Sequence, residues 1–264
     1  MKKVIFKQGS KEVFSIFFDI VLIVLILVIY RKQRTEFTKV SKTEIIFCLS
    51  WYLFYMILAI ISCALSVNII NEAANWLFLV LFPLLIIVRL RKENVIKTLK
   101  EIGLKRMDIQ QVIKILLVCM IYISVIILVF CLGDETPNIL KMMAKFPMHF
   151  CYMLFTAAFT EEFFFRGIVQ NCMMNALKRP YIAILLASVL FGLYHFPFAF
   201  YLWEETAGSI VKSLKLIMTS QAVSGCALGF IYYKSNKNLW SSIILHALAN
   251  AAIMSLSAVF SGSI

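Results

Sequence analysis

Charge is what this chain has least of. Only 15% of its 264 residues are charged, and 62% are hydrophobic. A soluble domain is about a quarter charged and nearer half apolar. The polar groups present could not cover a soluble globule of this length, and low hydrophobicity, which disorder requires, is lacking. No CxxC pair occurs among Cys48, Cys63, Cys119, Cys131, Cys151, Cys172 and Cys226. Almost all of these thiols lie inside apolar runs, so they read as small packing hydrophobes rather than a disulfide frame or metal set. There is no N-x-[ST] sequon, no low-complexity segment and no obvious repeat. No stretch alternates apolar and polar with a period of two, which excludes a membrane β-barrel. Helices are then the only spanning option.

A spanning helix needs roughly 20 mostly apolar residues. About eight stretches qualify or nearly so: 14–30, 44–67, 73–88, 112–132, 148–171, 181–201, 209–233 and 239–260. The third is short and contains Pro83. The expected fold class is all-α, a polytopic transmembrane helical bundle. Two regions are expected: 1–111, N-terminal spans with a basic amphipathic segment, and 112–264, a transmembrane core.

The net charge is +12. The basic residues sit in short loops between apolar runs, the pattern of the positive-inside bias and of contact with anionic headgroups. There is no aromatic-interleaved basic strand and no zinc-finger spacing, so no nucleic acid partner is expected; the lipid bilayer is. The alternation places 31–43, 89–111, 178–180 and 234–238 in the cytoplasm and the C-terminus outside. It also puts the N-terminus outside with Lys2, Lys3, Lys7 and Lys11, against the rule. The run that follows these lysines is long for a signal-peptide core, and Arg31 and Lys32 stand where a cleavage site belongs, so it reads as a retained helix. Segment 89–110 repeats Val95, Ile96, Leu99, Ile102 and Gly103 at helical spacing and is expected along the cytoplasmic interface. Trp51, Trp76, Trp203 and Trp240 read as belt anchors at the interfaces. Asp19 and Lys114 read as residues that snorkel from helix ends.

The second half concentrates groups that a membrane should not contain. Thr160-Glu161-Glu162-Phe163-Phe164-Phe165-Arg166 puts two carboxylates and a guanidinium within one span. On insertion scales the three cost roughly 8–10 kcal/mol together, which demands burial in the bundle or in a wet cavity. At about 100° per residue Glu162 and Arg166 share a face, while Glu161 is rotated away. Glu162–Arg166 is the natural ion pair, and Glu161 is left as the acid placed to act as a base. The next span carries Phe191 one turn before His195, with Pro197 just after. Proline frees a carbonyl and can kink the helix, widening a cavity beside His195. The last span carries His246 and Asn250 on one face, with Ala247, Ala249, Ala251 and Ala252 permitting close approach. The remaining histidine, His149, lies at an expected interface and reads as structural.

EE-x-x-x-R, F-x-x-x-H and H-x-x-x-N in this order, each inside a span, resemble the CPBP family of intramembrane proteases. That family includes the type II CAAX prenyl endopeptidases and bacteriocin-processing (Abi) enzymes. The resemblance covers about residues 146–260, and the basic segment ending in Gly103-Leu104 is similar to one often seen before the family core. It implies an intramembrane endopeptidase. Glu161 would act as general base on a water, with His195 orienting that water. His246 and Asn250 would stabilise the oxyanion, and Glu162, Arg166 and Phe191 would support the site. It implies no obligatory metal; the alternative is zinc at Glu161, His195 and His246, although the chain lacks HExxH. The implied substrate is a membrane-associated peptide or protein, of bacteriocin, pheromone or leader type rather than a prenylated one. Short loops without sequons suit a bacterial cell membrane. Two other classes fit buried charges in a bundle: a proton-coupled transporter, which predicts inverted repeats that are not found, and a non-catalytic self-immunity or membrane binding protein.

Overall fold

A computed structural model describes residues 8–30, 37–131 and 139–260. The basic loop residues Arg31, Lys32 and Arg34, the N-terminal Lys2, Lys3 and Lys7, and the C-terminal tail lie outside the described residues. Those that are described form nine helices and no strand. They are α1 (Gln8–Ile29), α2 (Lys42–Ala64), α3 (Glu72–Arg91), α4 (Val95–Ile102), α5 (Ile109–Cys131), α6 (139–177), α7 (Pro180–Tyr201), α8 (Ile210–Lys234) and α9 (Leu239–Phe260).

Six of these, α2, α3, α5, α7, α8 and α9, are long and apolar enough to cross a membrane. The protein is therefore an all-helical membrane bundle. The two other expected spans behave differently. In α1 the apolar stretch among the described residues is Ile16–Ile29. The stretch expected at 148–171 is part of the long helix α6, whose middle holds Glu161, Glu162 and Arg166. The charged groups that make this helix interesting also remove it from a count by hydropathy.

The loops expected in the cytoplasm meet at one end of the bundle. α4 starts at Asn94, whose side chain accepts a hydrogen bond from the Lys97 amide at 2.8 Å, and ends at Gly103 with φ +109°. Only glycine suits this turn, because a Cβ there would lie 2.4 Å from the Lys237 carbonyl oxygen. The Leu239 amide donates to the Gly103 carbonyl at 2.9 Å, and the Tyr232 hydroxyl to the Ile102 carbonyl at 3.0 Å. Asn171 on α6 donates to the Glu101 carbonyl at 3.1 Å. Thus α4 is docked on α6, α8 and α9 rather than lying free. Ile102 and Gly103 are buried, while Val95 and Ile96 remain exposed. Arg91 ties the same end together by pairing with Glu44 and Glu101. Tyr30, at the end of α1, lies 5.7 Å under Lys114, so α1 also finishes at this end.

Two apolar cores fill the bundle. One joins Tyr52, Leu79 and Ile102 to Phe163, Phe164, Phe165, Phe191 and Tyr232. The other joins Leu22 and Ile26 to Val118, Ile231 and Leu245. Cys48, Cys63, Cys119 and Cys172 are buried free thiols, as expected for packing residues, whereas Cys151 is exposed. Asp19 does not snorkel. It is buried, and the Ser224 hydroxyl donates to it at 2.8 Å, because α1 packs directly on α8.

Four stretches of helix wind with π-type turns: Trp76–Leu81 in α3, Leu154–Ala158 and Phe163–Gln170 in α6, and Ile217–Gln221 in α8. Each such turn lets one amide reach five residues back and leaves a carbonyl without its usual partner. In a membrane that carbonyl needs another donor. Trp51 supplies one, its Nε1 donating to the Phe78 carbonyl at 2.7 Å. Trp76 supplies another, its Nε1 donating to the Phe155 carbonyl at 2.9 Å. Both indoles are half-buried and donate to carbonyls of neighbouring helices, a role that an indole with a polar edge can combine with an interfacial position.

Candidate active site

Glu161 and Glu162 sit on α6 between its two π-type stretches. Both are buried, but not equally: Glu162 is 0% exposed and Glu161 9%. Arg166, one turn on, brings Nε to 3.1 Å from Oε2 of Glu162, the ion pair the spacing predicts. The guanidinium also donates through Nη2 to the Gly225 carbonyl at 3.2 Å and lies 4.4 Å from the centre of the Phe191 ring. Its Nη1 has no acceptor among the described residues.

His246 on α9 lies between the two acids. Nδ1 is 2.9 Å from Oε1 of Glu162, and Nε2 is 3.9 Å from Oε2 of Glu161. A carboxylate only accepts, so Nδ1 carries the proton of that bond. Glu162 thus holds two partners, one on each oxygen. Among the described residues, Glu161 has only the more distant His246 nitrogen.

His195 on α7 is half-buried, and its Nδ1 is 2.9 Å from the Phe191 carbonyl oxygen. The carbonyl must accept, so Nδ1 is protonated and Nε2 presents a lone pair. The Phe191 ring connects the motifs. It lies edge-to-face with His195 at 5.0 Å, with His246 at 6.1 Å and with Phe165 at 5.1 Å. Asn250 stands one turn beyond His246 on α9, half-buried and without a hydrogen bond among the described residues. Glu161, Glu162, Arg166, Phe191 and His246 are therefore in mutual contact, His195 joins them through Phe191, and Asn250 stands to one side.

Residues outside the three motifs hold this arrangement. Gln170, one turn after Arg166, donates to the Gly229 carbonyl at 3.0 Å. Arg166 and Gln170 thus read successive turns of α8 at Gly225 and Gly229. The close approach needs glycine, since a Cβ at Gly225 would meet Phe191 at 3.1 Å and the Ser188 backbone at 3.3 Å. The G-x-x-x-G spacing of Gly225 and Gly229 is the sequence signal for this face. Tyr194 stacks near Tyr55 at 5.5 Å, and Tyr55 donates to Asn75 at 2.6 Å. No motif marks either tyrosine. Trp203, half-buried in the loop after α7, leans on His195 with ring centres 6.3 Å apart. His149 accepts or donates to Ser255 at 2.8 Å, a buried link between α6 and α9 that agrees with its structural reading.

Among the described residues, no group of three His, Cys, Asp or Glu converges closely enough to hold a metal ion. The zinc alternative at Glu161, His195 and His246 therefore lacks a formed donor set. The Nδ1 atoms of both histidines are bonded, to Phe191 and to Glu162, which leaves the Nε2 atom of each ring as the one that can meet a ligand or a water.

Residues 143–252 match the family model described as type II CAAX prenyl endopeptidase Rce1-like. That range contains every residue of the three motifs, and the match agrees with the resemblance to CPBP intramembrane proteases. At the level of the family, the chain is similar to CAAX-type proteases that work within the membrane. No curated protein and no solved structure matches the chain.

Proposed function

We propose that the protein is an intramembrane endopeptidase in which Glu161 activates a water. The observation that carries this reading is the unequal treatment of two adjacent buried carboxylates. Glu162 is ion-paired with Arg166 on one oxygen and hydrogen-bonded to His246 on the other, whereas Glu161 keeps a small exposure and, among the described residues, no partner closer than 3.9 Å. A purely structural ion pair needs one acid, not two.

In this reading Glu161 takes a proton from water as its oxygen attacks the scissile carbonyl carbon. The Nε2 lone pair of His195 accepts a hydrogen bond from the same water and orients it. Asn250 donates its amide N–H to the oxyanion as it forms, and His246 does so through Nε2 as an imidazolium, its Nδ1–H staying on Glu162. Collapse of the tetrahedral intermediate breaks the C–N bond, and Glu161 returns the proton to the departing amine. Glu162, Arg166 and Phe191 position these groups. No metal is assigned a role in this reading. The substrate is a membrane-associated peptide or protein, of bacteriocin, pheromone or leader type, reached from the bilayer of a bacterial cell.

The test compares membrane and secreted peptides by mass spectrometry in cells making equal amounts of wild type or Glu161→Gln. A fragment seen only with wild type is expected, with loss of about 10³-fold or more in its rate of formation. Identical profiles from two folded proteins would sink the protease reading and favour the transport or immunity classes.

A further inference from the structure

We propose that Trp76 is a positioning residue for this reaction: its indole N–H sets the rotation of α6 that presents Glu161 and Glu162 to His246. The proposal rests on the protease reading for its kinetic consequences, but not for its structural ones.

The π-type stretch Leu154–Ala158 lies just before the glutamates. Here the Phe159 amide donates to the Leu154 carbonyl, five residues back. In an ordinary α-helix that amide would serve Phe155. The displaced Phe155 carbonyl is the one that receives Trp76 Nε1 at 2.9 Å. The indole also stacks on Phe159, with ring centres 4.9 Å apart and planes 19° apart. Trp76 therefore holds both ends of the irregular turn. The turn matters because it inserts one residue. Without it, everything downstream rotates by about 100° relative to everything upstream. Glu161 and Glu162 are two and three residues beyond Phe159, so they move with that rotation.

The same device occurs a second time, which argues against accident. In α3 the Phe82 amide donates to the Leu77 carbonyl, five residues back. That displaces the Phe78 carbonyl, and Pro83 has no N–H to offer it. Trp51 Nε1 takes it at 2.7 Å. The stretch so held, Trp76–Leu81, begins with Trp76 itself.

Two experiments test the proposal on the full chain in membranes. The first reads register without activity. In a Glu162→Cys, His246→Cys protein a short bifunctional thiol reagent should join the two positions, detected as a linked peptide by mass spectrometry. Adding Trp76→Phe, which keeps a ring for stacking and removes the N–H, should lower the linked yield about tenfold. Deleting Ala157 as well removes the inserted residue, restores an α-helical path with the same flanking faces, and should bring the link back. The second experiment follows the fragment found in the wild-type comparison. Trp76→Phe should lower kcat about 10³-fold, as loss of the positioned base does, with KM nearly unchanged. Deletion of Ala157 should restore most of it. A linked yield insensitive to Trp76→Phe in a folded protein would overturn the proposal, as would failure of the deletion to rescue. If wild type releases no fragment, the protease reading fails while the linking result still decides the role of Trp76.

Discussion

Over its most apolar window α9 has 61% of its residues buried, whereas α2 and α3 each have 28%. α9 carries His246 and Asn250 and packs against α6 and α8. α2 and α3 face outward with Leu53, Ile57, Leu77 and Leu85 exposed. The inner helices hold side chains that meet one another: carboxylate, guanidinium and imidazole. The outer helices, apart from the pairs Glu44–Arg91 and Tyr55–Asn75, send their polar side chains to backbone: Trp51 to Phe78, Tyr52 to Leu190 and Trp76 to Phe155. Burial cost explains the division. Charges inside a membrane need charged partners, and those must come from helices that are themselves central. A freed carbonyl needs only one N–H or O–H, which a peripheral helix can deliver.

The largest effect that would break this contrast is on the inside. Glu162→Gln removes a partner from both Arg166 and His246 and leaves the guanidinium buried beside a neutral amide. Losing one member of such a pair costs on the order of 3–5 kcal/mol. The thermal midpoint in detergent should drop sharply, and fragment release should fall with it. An unchanged midpoint would mean that Glu162 is not the acid that neutralises Arg166.

On the outside, Trp51→Phe keeps an aromatic ring and removes one hydrogen bond. The Phe78 carbonyl is then left unsatisfied, at a cost of about 1–3 kcal/mol. The midpoint should fall by less than in Glu162→Gln, and the site itself should stay intact in the protein that remains folded. If the two variants lose equal stability, the distinction between core and periphery fails.

The smallest effect lies at the basic end, in the loop between α8 and α9. Burial first, then the neighbouring Lys105 and Arg91, push Lys237 down to about 8. Between that value and the ordinary lysine value of 10.5 the unfolded chain binds more protons than the folded one. Stability attributable to Lys237 therefore rises as pH climbs through 8 toward 10.5 and is lower below that window. Lys237→Met should flatten this part of the stability profile relative to wild type. A profile of identical slope in the two proteins would show that Lys237 titrates as an ordinary exposed lysine.

Much of the fold is legible in one dimension, because a spanning helix is a local property of about 20 residues. Six of the expected stretches reappear as helices with nearly the expected limits. Part of the site is legible for the same reason. Glu162 and Arg166 pair across one helical turn, and that turn is written in their spacing. His246 is different. Its spacing to Asn250 suggests a joint role, yet its nearest partner is Glu162, 84 positions away. The partners of Trp51, Trp76 and Trp203 are not legible locally, because they are carbonyls and rings on other helices. Asp19 misleads when read locally, its partner Ser224 lying 205 positions off.

By itself, then, the sequence determined that the chain is a helical membrane bundle and which helices carry the charged groups. Hydropathy over 20 residues and the 3.6-residue turn are short-range, and no neighbour can change them. Only the tertiary structure decided what else meets those glutamates: that His246 bonds Glu162 and stands 3.9 Å from Glu161, and that Arg166 reaches the Gly225 carbonyl. Those contacts depend on where α9 delivers an imidazole, where α8 approaches closely enough at Gly225 to receive a guanidinium, and how far the π-type turns rotate α6. These are distances between helices, set by packing and by hydrogen bonds to displaced carbonyls, and no local pattern encodes them.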